Sequence, residues 1–420
     1  MLKIDVHCHV FNKDVLTIGG KILAALADIL TDLIDNGNYK NAEEKIERVN
    51  AFLDMSNKSA PIIAEALYKA YGDGSIIVPL MYDMYYLTRD LEKDFRKTLN
   101  GILDVFDKHE HKDNDKAAII RGRIQGIGNT SMKDSAKKLI HRSSFDIQVR
   151  NMKALKKQFG DRVYPFMSFD PRRSGNLEMI KQNVGPDKPF HGVKLYAPLG
   201  FSAADKTMMD KQSGLYAHCV ANDIPITAHC SCPGMPTMND RLNIPCDTLV
   251  FISDTSKPDD KDGACSKFNQ GGLFRTTMEE TVDFSDGGNA RKSLYFNHPD
   301  IWKFVLDEFP SLRLNLAHFG GDCSDWRSKI AQMIASNKYQ NLYTDISCRT
   351  NRSELQSIRA EYDSSESVQR RLMYGSDFTI LLLSLDLPHF IAGVEADDIF
   401  SYDKHKDIYW DNARRFLKLS

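Results

Sequence analysis

The sequence predicts an α/β fold, a (β/α)8 barrel of the TIM type distorted by long insertions. Three observations lead there. Eight short β-rich apolar runs recur along the 420 residues, helical periods lie between several of them, and polar residues able to ligate a metal stand at their C-terminal ends. In a closed barrel those ends converge on one mouth. A doubly wound sheet satisfies the alternation but does not by itself account for the repeated polar strand ends.

The runs are Lys3 to His9, Ser75 to Asp83, Val163 to Asp170, His191 to Ala197, Ile224 to Cys230, Arg313 to Phe319, Leu342 to Ser347 and Leu372 to Phe378. Helical periods cover Ile147 to Phe159, Ala204 to Asn222, Pro299 to Phe309 and Trp326 to Asn337. Surplus length sits in three insertions at about 12–74, 84–162 and 231–296. The first two read as helical, from apolar stripes such as Ile22, Leu26, Leu30, Leu33 and Leu91, Phe95, Leu99, Ile102, Phe106. The third is rich in turn residues (Pro233-Gly234, Asp262-Gly263, Gly271-Gly272, Gly287-Gly288) and reads as a long loop able to cover the mouth. Because the runs continue in order to residue 378, residues 1–420 read as a single barrel without a separate C-terminal domain.

With 42% hydrophobic, 10% aromatic and 27% charged residues, the chain falls outside the disordered, collagen-like and coiled-coil classes. Its 55 basic and 57 acidic residues leave a formal charge of −2, which offers no general field for nucleic acid or an anionic membrane. A small-molecule substrate is the expected partner. No stretch reads as a membrane span, and the N-terminus reads as a strand rather than a targeting segment. Eight scattered cysteines then point to reduced thiols and a cytoplasmic location.

His7-Cys8-His9 places two imidazoles on one face of a strand, where they can share a divalent ion. Alone that pattern is weak. It gains weight from Lys194 in HGVKLYAP, His229 in PITAHC, His318 in LNLAHFGG and Asp377 in MYGSDF, each after an apolar run and before a polar or glycine-containing break. Three or four nitrogen and oxygen ligands with an open position suit a catalytic zinc or a similar transition metal. Lys194 admits two readings. Beside a dication it needs a low pKa or neutralisation; as an ammonium, it points at a substrate carboxylate. Arg172 and Arg173, after the third run, can form a bidentate contact with a carboxylate or an ordinary surface ion pair. Tyr196 shares parity with Lys194 and is placed to line the substrate pocket. His191 reads as structural, and His109, His111, His141, His218, His298, His389 and His405 lack a strand-end context.

The segments IDVHCHVF, PFMSFDP, FHGVKLYAPLGF, IPITAHCS, FPSLRLNLAHFGG, LYTDIS, LMYGSDF and IYWDNARRFLKL together resemble the amidohydrolase superfamily, in particular its amidohydrolase-related (amidohydrolase-2) branch. The resemblance implies a divalent metal, zinc first, with His7, His9, His229 and Asp377 as ligands. In the mononuclear pattern His318 is an acid/base. In the binuclear pattern His318 ligates a second ion and a carboxylated Lys194 bridges the two. The implied function is metal-dependent hydrolysis of a C–N or C–O acyl bond (amide, ester or lactone) in a small, carboxylated substrate. Metal-activated water would attack, Asp377 would take its proton and His318 would stabilise the oxyanion. The alternative is a non-oxidative decarboxylase or hydratase of the same superfamily. A TatD-like nuclease, which also begins with HxH, expects an acidic residue where this chain has Lys194. A homodimer is a family expectation.

Overall fold

The strands of the central sheet are short and buried on both faces, as parallel strands are when helices cover them. The computed structural model describes residues 2–12, 15, 39–83, 85–87, 100, 103, 104, 107, 114–136, 141–232, 234–253, 271–285, 288–336 and 338–419. Its strands in chain order are β1 (Ile4–Cys8), β2 (Ile76–Pro79), β3 (Phe166–Phe169), β4 (Gly192–Leu195), β5 (Ile226–Cys232), β6 (Arg241–Ile244), β7 (Leu249–Ser253), β8 (Gly271–Arg275), β9 (Glu280–Asp283), β10 (Leu314–Gly321), β11 (Leu342–Asp345) and β12 (Leu372–Met373). Each of the eight runs read from the sequence contributes one barrel strand.

The ring can be followed around. β1 pairs with β2 in parallel, and β3, β4, β5, β10, β11 and β12 follow one another in a second parallel sheet. Isolated bridges Ile77↔Val163 and Leu80↔Phe166 join β2 to β3. On the other side the Val6 amide donates to Tyr374 O at 3.1 Å, and the Ser376 and Asp377 amides donate to His7 O at 3.1 and 2.7 Å. The last strand therefore returns to the first, and the architecture is a (β/α)8 barrel.

Helices Tyr39–Ser56 and Ala60–Tyr71 lie between β1 and β2, and Asn114–Ala136 and His141–Phe159 between β2 and β3. The apolar stripes at 22–33 and 91–106 fall largely outside the described residues. The third insertion differs from the expected loop: its described part holds two antiparallel ribbons, β6 with β9 and β7 with β8. β8 is exposed throughout, so it lacks the alternation that marks a half-buried strand in a sequence. No described helix is long and apolar enough to cross a membrane.

Ile4, Val6, Val78, Leu80, Phe166, Tyr343 and Met373 form a distinct apolar cluster, which Ala413, Phe416 and Leu417 of the C-terminal helix Asn412–Leu417 complete. Filling the barrel with side chains makes it a packed core with chemistry at one end only.

Candidate metal centre

His7 and His9 leave β1 side by side, with ring centroids 5.5 Å apart, where the β1–β2 register shifts between Asp5 and Cys8. Asp377 arrives from beyond β12 with φ of 59°, a left-handed conformation unusual for a side-chain-bearing residue and concentrated at functional sites. Its Oδ1 lies 3.1 Å from His9 Nε2 and 3.5 Å from His7 Nε2. One atom from each of the three falls within 4.8 Å of the others, and all three residues are buried. His318 ends the straight part of β10 with φ of 67°, and its ring lies 4.7 Å from that of His7 and 4.8 Å from that of His229. These five residues line one cavity of about 210 Å³, together with Tyr196. Lys194, 1% exposed on β4, brings Nζ to 3.4 Å from His7 Nε2.

Hydrogen bonds set the tautomers. His9 Nδ1 is 2.8 Å from the Leu80 carbonyl, which can only accept, so Nδ1 carries the proton and Nε2 a lone pair. That lone pair faces the Asp377 carboxylate. Two acceptors 3.1 Å apart repel unless a cation lies against both or the imidazole is protonated, and burial lowers the His9 pKa against the opposing pull of Asp377. Around His7 and His318 a single hydroxyl does similar work. Ser347 Oγ donates to Asp345 Oδ1, leaving it to accept from His7 Nδ1 at 3.0 Å and His318 Nδ1 at 2.9 Å. Asp345 Oδ2 also lies 3.3 Å from His7 Nδ1. Both rings thereby present Nε2 as an acceptor, the arrangement that carboxylate-supported metal histidines adopt.

The electrostatics agree. Burial holds His229 well below the ordinary imidazole range, and takes His318 down to about 3, so both are neutral near pH 7. Burial raises the Asp377 and Asp345 carboxyls, but the charge of the neighbouring imidazoles when protonated, together with hydrogen bonds such as that from Ser347 to Asp345, outweighs it. Burial also lowers Lys194 to about 8, against the attraction of Asp377 and Asp345. Neutral His229 and His318, an anionic carboxylate and a buried His229 Nδ1 without a hydrogen-bond partner among the described residues make a donor set that fits a divalent metal.

A family model described as Amidohydrolase matches residues 140–419, two thirds of the chain. The protein belongs to the amidohydrolase family. No curated protein matches it closely enough to report. Among solved structures, it is similar to 5-carboxyvanillate decarboxylase from Sphingomonas paucimobilis at 10% identity and TM-score 0.44, covering 100% of this chain and 99% of that one. It is also similar to the manganese complex of 5-carboxyvanillate decarboxylase from Novosphingobium aromaticivorans, at 13% identity and TM-score 0.47 over 100% and 96% of the chains. For 4-oxalomesaconate hydratase from Rhodopseudomonas palustris the values are 12% and 0.43, over 99% and 96%.

In this amidohydrolase Tyr196 lines the same cavity as the donors, its ring stacked on His229 at 4.3 Å. Arg172 and Arg173 do not join the donors. Arg172 pairs with Asp170 at 2.6 Å, Arg173 with Asp83 at 2.7 Å, and both line a separate cavity of about 630 Å³. Three features were beyond sequence reasoning. Asp345 and Ser347 sit in the LYTDIS segment, whose signal was an aspartate at a strand end. Arg349 lines the donor cavity. The backbone at Gly234 and Met235 borders the same cavity: Tyr82 Oη donates to Met235 O at 2.7 Å, and the Met235 amide donates to Tyr196 Oη at 2.5 Å. Gly234, at φ 65°, passes so close that a Cβ there would collide with His229 Nε2 and, at 2.7 Å, with Tyr196 Oη. Similarly, a Cβ on Gly320 would lie 2.5 Å from the Arg327 amide nitrogen.

Proposed function

We propose that this amidohydrolase is a metal-dependent lyase that decarboxylates, or in a close variant hydrates, a small carboxylated substrate. The observation that carries the metal dependence is the His9 lone pair fixed 3.1 Å from Asp377 Oδ1, an acceptor pair that calls for a cation. We assign His7, His9, His229 and Asp377 as ligands of one ion, zinc first and manganese second on donor type. A divalent ion there supplies Lewis-acid polarisation of a bound oxygen. The chain's own residues do the rest. Asp345 and Ser347 hold two imidazoles in register, Tyr196 packs on His229, and His318 and Asp377 flank the cavity as its proton-carrying groups.

Decarboxylation is the first reading because losing CO2, unlike hydrolysis, needs no attacking water, in a cavity of about 210 Å³ that the Gly234–Met235 backbone borders beside Tyr196. Hydrolysis is the second reading, favoured by Asp377, held ionised where it can take a proton from a water. We read Lys194 as an unmodified amine beside His7 and the chain as one barrel whose insertions at about 12–74, 84–162 and 231–296 decorate it.

The test is to measure metal content in the purified protein and assay a panel of small aromatic and acyclic acids separately for CO2 release and for acyl-bond cleavage. CO2 release that a chelator abolishes and zinc or manganese restores is expected. Acyl cleavage without CO2 would establish the hydrolase instead. Anomalous scattering should show one ion, and a second ion bridged through Lys194 would overturn the mononuclear assignment.

A further inference from the structure

We infer that Arg349 is the residue that selects an anionic substrate in this cavity, by binding a carboxylate in the space the donor set also lines. The inference rests on the reading that the cavity is the substrate site and adds what the substrate must carry.

Arg349 comes four residues after β11 ends at Asp345. Consecutive residues of an extended chain point to opposite sides, yet Cys348 and Arg349 both line the cavity. Cys348 has φ of 58°, and this left-handed turn redirects the chain so that both side chains face inward. Arg349 is 8% exposed, a depth at which a guanidinium needs partners. It has them at two of its three nitrogens. Nη1 donates to Asp322 and, at 3.4 Å, to Glu354, and Nε reaches Ser347 O at 3.5 Å. Nη2 donates to no described residue.

The placement of the counter-charges sharpens this. The Asp322 side chain is 65% exposed and that of Glu354 23%, and both meet Nη1, so Nη2 of this cavity-lining residue keeps no acid among the described residues. Burial opposes the charge, but Cys348, Asp322 and Glu354 outweigh it and hold the guanidinium pKa above its ordinary value. Arg349 is thus cationic at every relevant pH. Asp322 also borders the cavity, but its contact with Nη1 engages it. A carboxylate that reaches Nη2 gains a charge-assisted hydrogen bond in a site of low dielectric, and a neutral isostere does not.

The rival role is structural: Arg349 could serve only to tie the segment after β11 to Asp322 and Glu354. Calorimetric titration of the metal-loaded protein with benzoate, and with benzamide as the neutral isostere, separates the two. Wild type should bind benzoate. In Arg349→Met its dissociation constant should rise about tenfold or more, with benzamide binding unchanged. Should Arg349→Met fail to fold, Arg349→Lys carries the test. It keeps a charge for Asp322 but no second nitrogen for the cavity, so benzoate should weaken and benzamide should not. Equal affinity for benzoate in wild type and variant, equal losses for both probes, or no benzoate binding by wild type would overturn the inference. The readout involves no turnover. A product showing hydrolysis would therefore sink the lyase reading and leave this one standing.

Discussion

At the scale of single residues, the centre depends on where three imidazole protons are held. Leu80 O takes the one on His9, and the Asp345–Ser347 pair takes those on His7 and His318. Asp345→Asn keeps the shape but replaces an ionised acceptor with an amide that can also donate. We expect metal affinity to fall by about 10- to 100-fold, read by competition with a chromophoric chelator, with the fold retained by circular dichroism. Unchanged affinity would remove Asp345 from the support of the centre. The five donors were legible because each ends an apolar run, a one-dimensional signal. Arg349 was not, because its direction depends on a left-handed residue at Cys348, which no periodicity encodes. Arg172 and Arg173 were legible as arginines at a barrel mouth, but their carboxylate partners Asp170 and Asp83 were not legible as partners.

At the scale of elements, the helix Pro299–Glu308 shows how a histidine without a strand-end context is used. The sequence predicts it over Pro299 to Phe309, and His298 caps it, Nδ1 accepting from the Asp300 amide at 3.2 Å while the ring stacks on Phe251 at 3.7 Å. Burial lowers the His298 pKa to about 3, whereas an unfolded imidazole titrates near ~6.5. Above about pH 6.5 both states are neutral and His298 adds no pH dependence. As pH falls below that, the unfolded chain takes up a proton that the folded chain refuses, and stability is lost until about pH 3. His298→Asn keeps a capping acceptor and removes the proton. The variant should lose up to about 1.4 kcal/mol per pH unit of the acid-side slope, measured by urea unfolding at several values between pH 4 and about 6.5. An unaltered slope would mean that His298 is protonated in the folded protein. Other elements were only partly legible. The period from Ala204 to Asn222 predicts one helix and yields two, Lys206–Met209 and Leu215–Ala221. Asp210 Oδ1 accepts from the Gln212 and Ser213 amides and offers the backbone a turn in place of the helix.

At the scale of the molecule, the barrel has a chemical end and a sealed end. Phe416, fully buried, packs on Tyr343 and Phe166 with centroids at 5.3 and 6.3 Å, and Arg313 Nη1 grips its carbonyl at 2.8 Å. Phe416→Ala should cost about 3–5 kcal/mol, read as a lower urea midpoint. A loss under about 1 kcal/mol would mean that the C-terminal helix is not needed to close the core. The eight strands and their order were readable because buried parallel strands are apolar and short. The route of closure was less so. It runs through two isolated bridges and the backbone of residues 374–377, and a hydrogen bond made by main chain leaves no mark on residue type.

The seam of the ring is also where the donors meet. His7 and His9 come from the first strand and Asp377 from just beyond the last, so their cluster is complete only after ribosomal synthesis has delivered all eight barrel strands. An ion held there would clasp the two ends of the ring together, and by linkage its binding would favour the closed barrel over any half-assembled form. Loading of the centre would then serve as a natural inspection step, passed only by chains that have joined start to finish.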